Sequence, residues 1–149
     1  CLCPAIALAK AFLLHVMISR NEVIIVDSEA GAEVFGRGLA DHFDMNITVS
    51  EPTIKSLLIA KKLIRMAKEL NVRNNMLVIN KAMDEIEAAQ LFTKIFKDYK
   101  IPYHIVRYDP NIVDLEVKGI GLNNLPEKSI AYQDIFSLYN KTLKMLRRS

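Results

Sequence analysis

The sequence predicts an α/β fold built on a parallel sheet covered on both faces by helices. Four short apolar runs rich in β-branched residues recur along the chain, at Val23–Val26, Met45–Val49, Met76–Ile79 and Tyr103–Val106. Strands buried on both faces read as such near-continuous runs. Longer stretches with helical spacing lie between them, which is the strand-helix alternation of βαβ units. The 149 residues, with no internal repeat, linker or low-complexity stretch, match one core, at about 150 residues per domain.

Each element follows from its own pattern. Ala5 to Ile18 is apolar apart from Lys10 and His15. It is shorter than the roughly 20 residues that span a bilayer and no basic segment precedes it, so it reads as a buried helix rather than an export or membrane segment. After the first two strands, Leu57, Ala60, Ile64, Ala67 and Leu70 follow helical spacing while Lys55, Lys62, Arg65 and Glu69 occupy other faces, as a surface helix packing inward requires. Beyond the third strand, Asp84 with Glu87 three residues on has the form of an N-cap and its reciprocal partner. That helix runs through Ala88, Leu91, Ile95 and Tyr99, and Ile101-Pro102 closes it. The last helix, about Ile130 to Arg147, places Ile135, Leu138 and Leu146 along one side and ends in a basic cluster, a favourable arrangement at a helix C-terminus.

Composition narrows the function classes. Apolar residues make up 51% and charged residues 25%, which excludes a disordered tail, a collagen-like repeat or a disulfide scaffold. Twenty basic against 17 acidic side chains leave +3, with no concentrated basic stripe and no membrane segment, so neither nucleic acid nor membrane is an expected partner. The thiols are expected in a reducing compartment, the cytoplasm, where a close cysteine pair serves metal or redox chemistry more often than a structural disulfide.

Ligands of open parallel sheets collect at the carboxyl ends of the strands, and here those ends are polar. They read Asp27-Ser28-Glu29-Ala30-Gly31, Ser50-Glu51-Pro52-Thr53, Asn80-Lys81 and Arg107-Tyr108-Asp109-Pro110. A carboxylate such as Asp27 can hold a water of a Mg²⁺ ion, and Gly31 lets a backbone N–H approach a terminal phosphate. The same pattern also suits an acidic strand end followed by a turn glycine. Asn80 can both donate to and accept from the edge of a nucleobase, or form an Asx turn into the next helix. The loop from Arg107 to Asn111 can cover a base, and Asp109-Pro110 is equally a turn pair. In Cys1-Leu2-Cys3-Pro4 two thiols of an extended segment face the same way. They make half of a tetrahedral metal site that a second copy across a two-fold axis completes, unless they are one small hydrophobe and one idle thiol. His15, His42 and His104 carry no metal-binding spacing.

Taken in order, Cys1-x-Cys3-Pro4, Val23-Ile-Ile-Val-Asp-Ser-Glu-Ala-Gly31, Phe35-Gly-Arg-Gly38, Ser50-Glu-Pro52 with Ser56-Leu57, Asn80-Lys81 and Tyr108-Asp-Pro110 resemble one family. It is the CooC-like branch of the MinD/ParA and nitrogenase iron protein superfamily, the nickel-insertion accessory ATPases of carbon monoxide dehydrogenase. The resemblance covers nearly the whole chain, and the upstream Cys-x-Cys separates this branch from septum-site and partition ATPases. It implies a three-layer P-loop NTPase-like fold, with residues 1–149 as the C-terminal portion of a single domain whose N-terminal part is missing.

The resemblance further implies that Asp27 belongs to the switch segment supporting Mg²⁺ and the attacking water, that Gly31 lies near the γ-phosphate, and that Asn80 contacts adenine, with Lys81, Asp109 and Pro110 on the base side. Cys1 and Cys3 would bind zinc or nickel between two protomers of a homodimer, with ATP hydrolysis coupled to nickel delivery to carbon monoxide dehydrogenase as client. Two alternatives are a MinD/ParA-type positioning ATPase and a non-catalytic metal- or partner-binding module. The chain departs from the family pattern at three points. No Gly-x-x-x-x-Gly-Lys-Ser/Thr occurs in it, so the phosphate cradle is absent, this stretch alone is expected to be inactive, and the strand that normally precedes that loop leaves an apolar gap. Val34 stands where relatives often carry His, and Arg107 where proline commonly precedes the Tyr-Asp pair.

Overall fold

The computed structural model describes residues 22–28 and 43–147, with Leu8, Ala11, Phe12 and His15 as single positions before them. From Met45 onward the chain alternates strands and helices: β1 (Met45–Ser50), α1 (Ile54–Glu69), β2 (Asn74–Ala82), α2 (Glu85–Phe96), β3 (Tyr103–Arg107), α3 (Pro110–Val117), a 3₁₀ turn (Leu122–Asn124) and α4 (Ile130–Leu146). The strands form one parallel sheet in the order β1-β2-β3. This is the α/β architecture expected, a parallel sheet flanked by helices as in a P-loop NTPase-like fragment.

Local chemistry sets the helix limits. Thr53 caps α1 by accepting the Ser56 N–H at 3.2 Å, satisfying one of the orphan donors of the first turn. At the other end Asn71 takes a left-handed φ of 60°. The Val72 N–H reaches Ala67 O at 3.0 Å and the Asn71 N–H reaches Lys68 O at 3.0 Å, which is a Schellman motif with Ala67 and Val72 in apolar contact. Gly119, φ 66°, ends α3 in the same way, with Ile120 N–H on Leu115 O and Gly119 N–H on Glu116 O. Asp84 caps α2 as its position foretells, accepting from Ile86 N at 2.7 Å and Glu87 N at 3.0 Å. That helix stops at Phe96, so Tyr99 lies beyond it. There its ring takes Lys61 and Lys68 ammonium groups at 5.1 and 4.9 Å, a favourable cation–π arrangement.

The core lies between the sheet and the α1/α2 layer. Leu57, Ala60 and Ile64 of α1 and Ala88, Phe92 and Phe96 of α2 enclose Leu77 and Ile79 of β2. Phe92 stacks on both Phe96 and Tyr103, at 5.0 and 4.1 Å between ring centres. Alternation sends Met76 and Val78 to the opposite face, where α4 packs on β3.

The structure corrects four expectations. Val23–Val26 is not a strand: it lies outside the sheet, 39–88% exposed, because β-branched residues hold an extended chain only against a partner strand. No described strand pairs with the outer edge of β1. On the same side Ile47 and Val49, in register with Met76 and Val78, are 39% and 57% exposed, so the sheet is covered on both faces only in part. Leu8, Ala11, Phe12 and His15 are helical but exposed, so the Ala5–Ile18 stretch is not a buried helix at those positions. In α4 the inward row is Ala131, Asp134, Leu138 and Lys141, with Ile135 exposed. Polar partners on β3 claim that row, as described below, and turn Ile135 outward.

Candidate functional site

The carboxyl ends of β1, β2 and β3 meet at one edge, and the described candidate residues of those strand ends are gathered there. Asn80 and Lys81 lie inside β2 rather than after it. Ile79 pairs with Ile105 but Ala82 with Arg107, so one extra residue bulges from β2, and Lys81 takes a left-handed φ of 59° there. Bulges re-aim side chains where a strand ends. Asn80 Oδ1 accepts the Lys81 N–H at 3.0 Å, the local turn bond weighed against a base contact. Its Nδ2 keeps no hydrogen bond among the described residues, so the two roles are compatible. Lys81 Nζ meets Glu51 Oε1 at 3.2 Å, tying the end of β1 to that of β2. Both side chains are exposed, so the pair orders the edge more than it stabilises the fold.

The β3 end is held more firmly. Tyr108 N–H donates to Ala82 O at 2.9 Å, setting the loop in register with the bulge of β2. Asp109 is 3% exposed, and its carboxylate is filled by donors. Oδ1 accepts from Asn111 N at 2.9 Å and Asn111 Nδ2 at 2.7 Å, and Oδ2 from Ala131 N at 3.0 Å. Asp109 therefore caps α3 and satisfies the first turn of α4 together, with Pro110 at the first position of α3, where its missing N–H costs nothing. Burial pushes the Asp109 carboxyl up, but the bonds from Ala131, Asn111 and Ser129 outweigh it and hold the group below the usual carboxylate range. Asp109 shapes the loop, and both its oxygens accept from protein donors.

Apolar spacing gave no sign of Arg107, Asp134 and Glu85 as partners. Asp134 of α4 accepts from Arg107 N at 3.0 Å, Nε at 2.9 Å and Nη2 at 2.7 Å. Glu85 Oε1 lies 2.8 Å from the same Nε. Burial raises the Asp134 carboxyl, and the Arg107 bonds more than offset this, leaving it lowered. His104 Nε2 lies 2.8 Å from Asp134 O, and Lys141 Nζ donates to Tyr103 O. The signal that could have exposed this row is its spacing, since Ala131, Asp134, Leu138 and Lys141 repeat every three or four residues.

Asp27 is exposed and its carboxylate makes no contact among the described residues, an oxygen donor of the kind Mg²⁺ takes. Gly31, Cys1 and Cys3 lie outside the described residues, as does Phe35 to Gly38. Among the described residues no three His, Cys, Asp or Glu side chains converge on a metal position, and no helix is long and apolar enough to cross a membrane. A shallow groove of about 720 Å³ along α2, lined by Glu85, Ile86, Ala89, Gln90 and Tyr103 among others, contains none of the strand-end candidates.

The fold is a parallel α/β arrangement consistent with a P-loop NTPase-like fragment, with the described candidate residues of β1, β2 and β3 at the strand carboxyl ends. The chain is 34% identical over 148 residues to the uncharacterized ATP-binding protein MJ0823 of Methanocaldococcus jannaschii, an alignment covering 97% of this chain and 55% of that protein. It is 33% identical over 87 residues to the carbon monoxide dehydrogenase accessory protein CooC of Rhodospirillum rubrum, covering 58% of this chain and 33% of CooC. A second Methanocaldococcus jannaschii protein, the uncharacterized ATP-binding protein MJ0084, is 38% identical over 85 residues, 57% of this chain and 34% of that protein. The resemblance read from the motifs is thus a relationship of sequence: the chain is a relative of CooC and of these archaeal ATP-binding proteins. No family model matches it. The chain spans about half the length of MJ0823, and less of the other two.

Proposed function

We propose that residues 1–149 are the base-side and switch-side portion of an ATP-binding accessory ATPase that serves metallocentre assembly, with nickel insertion into carbon monoxide dehydrogenase as the task. The observation that carries this reading is the convergence of Asn80, whose Nδ2 makes no hydrogen bond among the described residues, and the Tyr108–Pro110 loop at the ends of β2 and β3, registered by the Tyr108–Ala82 bond. The relatives' names, ATP-binding protein and CooC, support the nucleotide and the task respectively. In this reading Asn80 takes the base edge, Lys81 with Asp109 and Pro110 frames it, and Asp27 holds a water of Mg²⁺ with Gly31 near the terminal phosphate. Cys1 and Cys3 hold zinc or nickel with the same pair of a second copy. The client is the nickel enzyme, and the setting is the cytoplasm.

Phosphoryl transfer needs positioning and charge neutralisation more than covalent chemistry. These residues supply the base and switch sides but not the Gly-rich cradle with its lysine, so residues 1–149 alone are expected to show no Mg-ATPase activity. The native gene product, its intact mass and N-terminus determined first, should bind and hydrolyse ATP. Asp27→Asn should abolish hydrolysis while leaving binding. Absence of ATP binding by the native product overturns the reading, and so does a Mg-ATPase rate in residues 1–149 that Asp27→Asn removes, in what it says of the division of labour.

A further inference from the structure

Arg107 occupies a position where the related pattern commonly has proline, and one carboxylate 27 residues later holds both its main chain and its side chain. Asp134 Oδ2 takes the Arg107 N–H at 3.0 Å and Nε at 2.9 Å, and Oδ1 takes Nη2 at 2.7 Å. A backbone N–H bonded to a side chain fixes where the strand ends, and a bidentate guanidinium fixes the direction of the residue. The next residue, Tyr108, bonds Ala82 O beside the Asn80–Lys81 bulge, and the one after it, Asp109, sends Oδ2 back to Ala131 N. Ala131 and Asp134 are three apart and share a face of α4. The first turns of α4 therefore grip the loop at two points, on either side of Tyr108, which is 38% exposed at the edge. Glu85, at the start of α2, closes the clamp from the β2 side with Oε1 2.8 Å from Arg107 Nε.

We infer that Asp134 is a positioning residue for recognition of the nucleobase, acting through Arg107 on the Tyr108–Pro110 loop and through it on Asn80. This rests on the nucleotide reading above. Asp134 touches no ligand; it sets the register between the loop and the β2 bulge. Displacing such a frame moves the base contacts it positions out of place. Its influence belongs to the base and not to the phosphates, because Asp27, assigned to the phosphate side, precedes β1 and makes no contact with the clamp or the loop it holds among the described residues.

The test uses the native gene product and three probes, ATP, GTP and inorganic tripolyphosphate, with dissociation constants measured by competition. Asp134→Asn should weaken ATP about tenfold, a change of 1.4 kcal/mol, leave tripolyphosphate within about twofold, and narrow the preference between ATP and GTP. Arg107→Gln should give the same pattern if Asp134→Asn does not fold, and Asp134→Glu should recover part of the base preference. Equal weakening of ATP and tripolyphosphate overturns the inference by showing a structural role alone, as does an unchanged ATP constant. A wild-type protein that binds ATP no more tightly than tripolyphosphate removes the base edge itself, and the inference with it.

Discussion

Asp109 shows how one carboxylate can organise two helices. Its oxygens satisfy Asn111 N–H and Nδ2 and, 22 residues away, Ala131 N–H, so Asp109→Ala removes the cap of α3 and leaves the buried Ala131 N–H without this partner. The expected cost is about 2 kcal/mol, read as a lower urea midpoint with the slope unchanged. The pH dependence has a definite sign. Asp109 and Asp134 both titrate below the ordinary carboxylate range in the folded protein, where bonds from Ala131 and Asn111, and from Arg107, overcome burial. A lowered folded pKa adds stability that is fully present above the unfolded value of about 3.9 and lost as pH falls through the folded value. Unfolding midpoints should therefore drop steeply below about pH 4, and a shallower acid slope is expected in Asp134→Asn. An identical acid slope in wild type and variant would contradict the assignment. At this scale the polar or turn-forming character of Asn80, Lys81, Asp109 and Pro110 beside the apolar runs could be read from the sequence. What each carboxylate bonds to could not, since its donors come from distant elements.

At the scale of the element, caps and stripes did most of the work. The buried positions of α1 are Leu57, Ala60, Ile64 and Ala67, the residues its periodicity selects, and Asp84 starts α2 where its side chain can reach the first free N–H groups. Gly119 ends α3 for a backbone reason: its φ is 66° and open space surrounds the place a Cβ would take. Gly119→Ala is therefore expected to cost about 1 kcal/mol through left-handed strain alone, checked by urea denaturation. A loss well beyond that would mean a clash that the geometry excludes. Periodicity placed α4 correctly but turned Ile135 inward, because the rule it applies is apolar burial. The inward face of α4 carries Asp134 and Lys141, which answer Arg107 and the Tyr103 carbonyl, and buried polar groups of this kind are satisfied by partners that hydropathy does not register.

At the scale of the whole molecule, the uncovered surface is as informative as the core. Val23–Val26, Ile47 and Val49 are apolar and exposed. The proposed metal site is larger than one chain, because Cys1 and Cys3 give two thiolates where zinc takes four ligands. Equilibrium dialysis of the native product should find about one zinc or nickel per two chains, with loss of metal in the Cys1→Ser, Cys3→Ser double variant. One metal per chain, or metal retained in the double variant, contradicts a shared site.

The sequence by itself determined the parallel α/β class, three of the four strand positions, the helix start at Asp84, the inward stripe of α1 and the relationship to CooC-like proteins. Each of these depends on short-range chemistry: β-branched runs, the 3.6-residue period, a capping side chain two or three residues from its donor, a motif a few residues long. Tertiary structure alone decided that Asn80–Lys81 is a bulge within β2, that Asp109 is spent on two helix ends, that Asp134 faces inward on Arg107, and that Val23–Val26 stays outside the sheet. These outcomes are set by register and by partners 22 to 27 residues away. A strand needs a neighbour and a buried charge needs a counter-charge, and neither requirement is written in the local pattern.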